Sequence, residues 1–217
     1  MGRISRWFPP FTGVLFVAFV VAITILIGQG QDASKKTAQE IVNHYQDHNT
    51  RESVGAILIV FASSLILYFG GWLRRLLRDA EGPDGILSAV AFGGAIAFAA
   101  GAAVAGSIHL ALADLADDIN PIALQAINGI DFDMFFFFPV GLGTLVLATG
   151  ISALRHGALP KWLAWISIVL GVLFFTPAFF IFFFIGPLWF LVVSIWGIRH
   201  ELGKDAAPAA PAAPAAA

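Results

Sequence analysis

Apolar residues along this chain come in long blocks rather than in alternation. No Asp, Glu, Lys or Arg interrupts residues 11–28, 54–73, 86–108, 134–154 or 162–198. A helix needs roughly 20 apolar residues to cross a hydrocarbon core of about 30 Å, so the pattern predicts an all-α, polytopic transmembrane helical bundle. The last block decides the count. As one helix its 37 residues would reach about 55 Å at 1.5 Å per residue, which fits two crossings and not one. Thr176-Pro177 is the expected turn, because proline cannot continue the preceding hydrogen-bond ladder. Gly186-Pro187 reads as a kink. About six spans follow, at 11–28, 54–73, 86–110, 134–154, 162–176 and 178–198, with outer loops at 29–53 and 111–133. Residues 1–200 then make one six-span membrane domain, and 201–217 an Ala/Pro-rich disordered tail. The first block is longer than a signal-peptide core and lacks a clear cleavage site, so it is expected to remain as an uncleaved span.

Periodicity inside the loops adds detail. Thr37-x-x-Glu40 is a capping-box pattern, and Ala38, Ile41, Val42 and Tyr45 follow as one apolar stripe. A short helix against the outer ends of the spans is expected there. Asn120-Pro121 reads as an N-cap followed by proline at the first helical position. In the third span Gly93, Ala97, Gly101 and Ala105 recur every fourth residue, a spacing that lets another helix backbone approach closely. That stripe suits packing within the bundle, or homodimerisation.

Charge orients the chain. Only 12% of residues are charged, about half the ~25% of soluble proteins. With six spans and a cytoplasmic N-terminus, Arg3, Arg6, Arg74, Arg75, Arg78, Arg155, Lys161, Arg199 and Lys204 fall inside, nine of the twelve basic residues. Basic residues resist translocation, so both termini and the tail are expected in the cytoplasm of a cell whose inner (plasma) membrane holds the protein. Trp7, Trp72, Trp162 and Trp196 would mark the inner interface. The near-neutral net charge of −2 argues against a nucleic-acid partner. Absence of cysteine excludes disulfides and thiolate chemistry.

Chemistry has few places to reside. The hydroxyls of Thr24, Ser63, Ser64, Thr144, Thr149, Ser167 and Ser194 lie within the spans, where they can satisfy local carbonyls. Every carboxylate and basic residue is expected outside, which weighs against proton-coupled transport. The best cluster is on the outer side. Glu40, His44 and His48 are spaced by four, so a helix sets them along one side. His109 ends the third span nearby, followed by Asp114, Asp117 and Asp118. Imidazoles and carboxylates together could hold a divalent metal or titrate with pH. No cofactor is implied, and no phosphate loop, catalytic triad, HExxH or dinucleotide fingerprint is present.

Three stretches carry a resemblance. They are TAQEIVNHYQDHNTR before the second span, FGGWLRRLLRDAEGPDGILSAVAFGGAIA across the first cytoplasmic loop, and ISALRHGALPKWLAWISIVLGVL. In the last, Leu159-Pro160-Lys161-Trp162-Leu163 leads into the fifth span. Over roughly residues 10–200 the chain resembles a family of multi-pass integral membrane proteins of unknown function from actinobacteria. The resemblance implies a helical membrane domain and supplies no catalytic residues. The expected function is non-enzymatic: an accessory or interaction component of a membrane assembly, partnered by the bilayer and by a membrane protein or a second copy. A small transporter or lipid-binding protein, and an outer-face metal-binding or pH-sensing protein, are the alternatives.

Overall fold

The structure, a computed structural model, describes residues 4–27 and 36–206. Expectations for residues 1–3, 28–35 and 207–217 lie outside the described residues. Among those described, every regular element is helical: α1 (Ile4–Ile27), α2 (Ala38–Glu81), α3 (Leu87–Leu115), α4 (Pro121–Asp133), α5 (Phe138–His156), α6 (Lys161–Phe174), α7 (Phe179–Phe182) and α8 (Gly186–Ala206). Tight helical turns at Met134–Phe137 and Phe183–Ile185 join α4 to α5 and α7 to α8. Five stretches are long and apolar enough to cross a membrane: Trp7–Ile27, Ala38–Glu81, Leu87–Leu115, Pro121–His156 and Phe179–Gly203. The sixth apolar helix, α6, has 14 residues and reaches only about 21 Å.

The separate short helix expected in the 29–53 loop does not exist. It is the first part of α2, a single helix of 44 residues, about 66 Å long. No proline interrupts this run, and Gly55, where it could have broken, is buried against Ile27. The start is as the sequence predicts. Thr37 accepts from the Glu40 N–H and Glu40 accepts from the Thr37 N–H, a complete capping box. Asn120 likewise caps α4, accepting from the Ile122 N–H at 2.8 Å ahead of Pro121.

Helices pack in the order α8, α1, α2, α3, α5, α6. Phe16, Phe69 and Phe98 surround Phe190 at ring-centroid distances of 4.8, 5.0 and 6.3 Å. Rings at these separations add edge and offset attraction to the area they bury. The crossing of α3 and α5 depends on paired glycines. A Cβ on Gly94 would strike the backbone of Gly141 and Leu145, and one on Gly141 would strike the backbone of Phe98. The bundle-facing side of α3 is therefore Ala91, Gly94, Ala95, Ala99 and Ala102. The expected stripe lies one position away: Gly93 and Ala97 point outward and are exposed.

Five of the expected span hydroxyls bond locally, whereas the Ser194 hydroxyl is buried without a hydrogen-bond partner among the described residues. Thr24, Ser63, Ser64, Thr149 and Ser167 donate to carbonyls three or four residues back, and Trp189 donates to the Ser167 hydroxyl at 2.8 Å. The last apolar block breaks at Thr176-Pro177, where α6 stops at Phe174, while ahead of Gly186-Pro187 the helical path only tightens through Phe183–Ile185 and runs on into α8.

At the end of the bundle where α2 finishes, Glu81 accepts from the Ser88 N–H and from the Ser152 hydroxyl, binding α2, α3 and α5 together. Trp72, expected near the inner boundary, packs inside the bundle. It is buried, and its indole N–H donates to Glu201. α8 continues to Ala206, so the first residues of the expected disordered tail are helical.

Candidate functional site

At the opposite end, the first four turns of α2, the end of α3 and α4 form a small cap with its own core of Ile41, Val42, Tyr45, Leu112, Ala113, Ala116 and Leu124. The apolar stripe of α2 points Ile41 and Tyr45 into this core. Its next repeat, seven residues beyond Tyr45, is Glu52. Helical periodicity thus forces a carboxylate into the cap, where only 2% of its surface is exposed.

Two imidazoles meet that carboxylate. His44 Nε2 lies 3.0 Å from Glu52 Oε1, and His109 Nε2 lies 2.9 Å from Glu52 Oε2. The second ring nitrogen of His109, Nδ1, lies 2.8 Å from Asp131 Oδ2 on α4. A chain of four groups, His44–Glu52–His109–Asp131, therefore links three helices. Tyr45 packs edge-on against the His109 ring at 5.9 Å and donates its hydroxyl hydrogen to Asn128 Oδ1 at 2.9 Å. His48 stacks on His44 at 4.8 Å and its Nδ1 contacts the His44 carbonyl. Asn49 donates to the Ala113 carbonyl at 2.7 Å, and the Arg51 guanidinium donates to Leu26 and Ile25 carbonyls at the end of α1. Around Glu52 the backbone is thus held on all sides.

With both carboxylates ionised, hydrogen-bond accounting fixes where the charge lies. Each of the three contacts in the chain needs one proton, and ionised carboxylates supply none. A neutral imidazole brings one hydrogen, so two neutral rings fall one short. The third proton makes one ring an imidazolium. His109, which faces a carboxylate on each side, satisfies both only in that form. Two carboxylates and one imidazolium leave a net charge of −1.

The sequence-predicted metal set is brought together only in part. His44 and His109 converge through Glu52, with His48 stacked beside them. Glu40 is three turns away at the start of α2, where hydrogen bonds from the Thr37 backbone N–H and hydroxyl hold its carboxyl below the usual carboxylate range. Asp114, Asp117 and Asp118 are exposed around the end of α3. Among the described residues, no group of three or more His, Asp and Glu side chains is arranged to hold a metal ion. Both nitrogens of His109 are already directed at carboxylate oxygens.

Sequence reasoning missed Glu52, Asp131, Tyr45 and Asn128 as members of the site. A signal existed for each. Glu52 extends the Ile41–Tyr45 stripe, while Asn128 and Asp131 extend the α4 stripe that begins at buried Leu124. Comparison with known proteins adds nothing further: no family model, no curated protein and no solved structure matches this chain.

Proposed function

We propose that this chain is a non-enzymatic integral membrane protein whose outer cap responds to proton concentration, serving as an accessory component of a membrane assembly. The observation that carries this reading is the Glu52 carboxylate, buried between two imidazoles and backed by Asp131. Removing the third proton would leave His109 neutral between two carboxylates, able to donate to only one. Adding a proton to Glu52 or Asp131 would remove an acceptor. Either change weakens one of the contacts that tie α2, α3 and α4 together in the cap. The groups facing Glu52 and His109 are His44, Tyr45 and His48 from α2, and Asn128 and Asp131 from α4.

Six crossings with cytoplasmic termini belong to this proposal. They are supported by the turn at Pro177 and by the bias of basic residues toward the ends of α2, α5 and α8. That bias also supports a plasma-membrane location, and the three resembling stretches support the actinobacterial family. A role within an assembly is supported by the outward small-residue face of α3 at Gly93 and Ala97, and by the packed aromatic centre.

Nitrogen-15 NMR of the imidazoles, with the protein in nanodiscs, tests the site. We expect both ring nitrogens of His109 to be protonated near neutral pH, with Glu52→Gln changing that state. A neutral His109 with one bare nitrogen in both proteins would refute the charge assignment.

A further inference from the structure

α4 is apolar on both of its sides. Leu124 and Ile127 face inward, into the core of the cap. Four-residue spacing puts Ile122, Ala126 and Ile130 on the other side together with Ala123. All four are exposed, Ile122 at 72% and Ile130 at 55%. No Asp, Glu, Lys or Arg occurs from residue 121 to residue 130. The neighbouring part of α2 is different. Gln125 donates to the Lys36 carbonyl at 3.0 Å and Tyr45 donates to Asn128, so α4 stands beside the first turns of α2. There α2 turns Gln39, Asn43 and Asp47 outward, all exposed, as a surface in water requires. α4 presents isoleucine and alanine beside them.

Three side chains of α4 tie it down: Gln125, Asn128 and Asp131. Of these only Asp131 titrates. It faces His109 from α3, which is backed by Glu52 and His44 from α2, with His48 stacked on His44 and the Tyr45 ring alongside. Asp133, on α4 itself, is exposed, and residues 134–154 supply no charged group.

The bilayer is the partner within reach. α4 joins α5 through Met134–Phe137, and Pro121–His156 forms one stretch long and apolar enough to cross a membrane. Exposed Phe136 and Val140 carry apolar surface on from this junction into α5. A helix tethered at the edge of a bilayer meets lipid at a high effective concentration. Its charge is what opposes insertion, because an ionised carboxylate is costly in hydrocarbon. Protonating Asp131 removes that cost and weakens the contact with His109 in one step. The other carboxylate, Asp133, falls in the last turn next to the junction, where headgroups are close.

We infer that α4 is an acid-released membrane-surface helix: with Asp131 protonated it leaves the cap and lays Ile122, Ala126 and Ile130 into the adjacent leaflet. This builds on the proton response proposed above and names the surface that receives α4. Its 13 residues span about 20 Å, and an interfacial helix of this kind sinks its apolar face about 5–10 Å below the headgroups.

The chain has no cysteine, so Ala126→Cys and Asn43→Cys carry spin labels at defined places in the full chain in nanodiscs. The distance between the two labels reports whether α4 stays on α2. Relaxation of a single label at Ala126→Cys by oxygen or by a water-soluble nickel complex reports whether that face meets lipid or water. At pH 7 the distance should be short and the label open to nickel. At about pH 4, near the ordinary carboxylate range, the distance should lengthen and the oxygen-to-nickel ratio should rise several-fold. Asp131→Ala should do the same at pH 7. Adding Ile122→Ser and Ile130→Ser to Asp131→Ala should keep the release but hold the label in water. A longer distance with the label still open to nickel, in acid and in Asp131→Ala, overturns the inference and leaves the proton-responsive cap standing. A distance that stays fixed under both conditions overturns the two together. A label already in lipid at pH 7 overturns the release by acid.

Discussion

A carboxylate with almost no exposed surface has to be paired, because an isolated buried charge is too costly to keep. Glu52 meets that demand with two imidazoles on different helices. Removing one partner of a buried pair leaves the other uncompensated, which costs about 3–5 kcal/mol. Glu52→Ala is therefore expected to destabilise the cap by roughly that amount. Tyr45→Phe, which deletes one neutral hydrogen bond to Asn128, should cost about 1 kcal/mol. Denaturant unfolding in detergent, read by a probe on α4, compares the two. Equal small losses would mean that Glu52 is not paired as described. The same pairing shapes the pH response. Acid removes carboxylate acceptors and base removes the imidazolium proton, so the cap is most stable between those limits.

Helix packing is decided by smaller groups. Adding a methyl at Gly94 drives it into the backbone of α5, which cannot swing aside as a side chain can. Overpacking of this kind costs about 1–3 kcal/mol, so Gly94→Ala should lower the melting temperature. Gly93→Ala, whose Cβ meets nothing within 4 Å, should hold it or raise it slightly, because alanine favours helix over glycine. Thermal unfolding of the pair checks the crossing, and equal behaviour would contradict it. This contrast also shows what the chain's pattern could and could not reveal. The apolar blocks, the Thr37 and Asn120 caps and the break at Pro177 are local signals, and each appears where its residues predict. Which of two adjacent small-residue stripes on α3 faces inward depends on α5, some fifty residues away, and the spacing alone fits both. The merger of the loop helix into α2 was legible in the lack of a proline, but the expected boundary at residue 53 followed charge instead of helix continuity. Glu52 was read as a loop residue for the same reason. Its burial requires His109 and Asp131, which lie 57 and 79 positions farther along the chain and reach it only through the fold.

Taken whole, the molecule joins a closely packed apolar bundle to a polar cap through one unbroken helix. α2 carries Glu52 into the cap and, 29 residues later, Glu81 into the tie with Ser88 and Ser152. Both carboxylates bind α2 to α3, one near each end of α3, but only the cap tie runs through a titratable partner. A change in proton occupancy should therefore loosen the cap and spare the far end. Hydrogen–deuterium exchange mass spectrometry on the protein in nanodiscs, taken at several points between about pH 5 and 8 and corrected for the intrinsic rate at each, tests this most directly. The account predicts that protection of α4 and the first turns of α2 varies with pH in the parent, that Glu52→Gln flattens that variation, and that residues around Glu81 hold steady in both. Protection of α4 that is independent of pH in the parent, or that varies identically in Glu52→Gln, would contradict it.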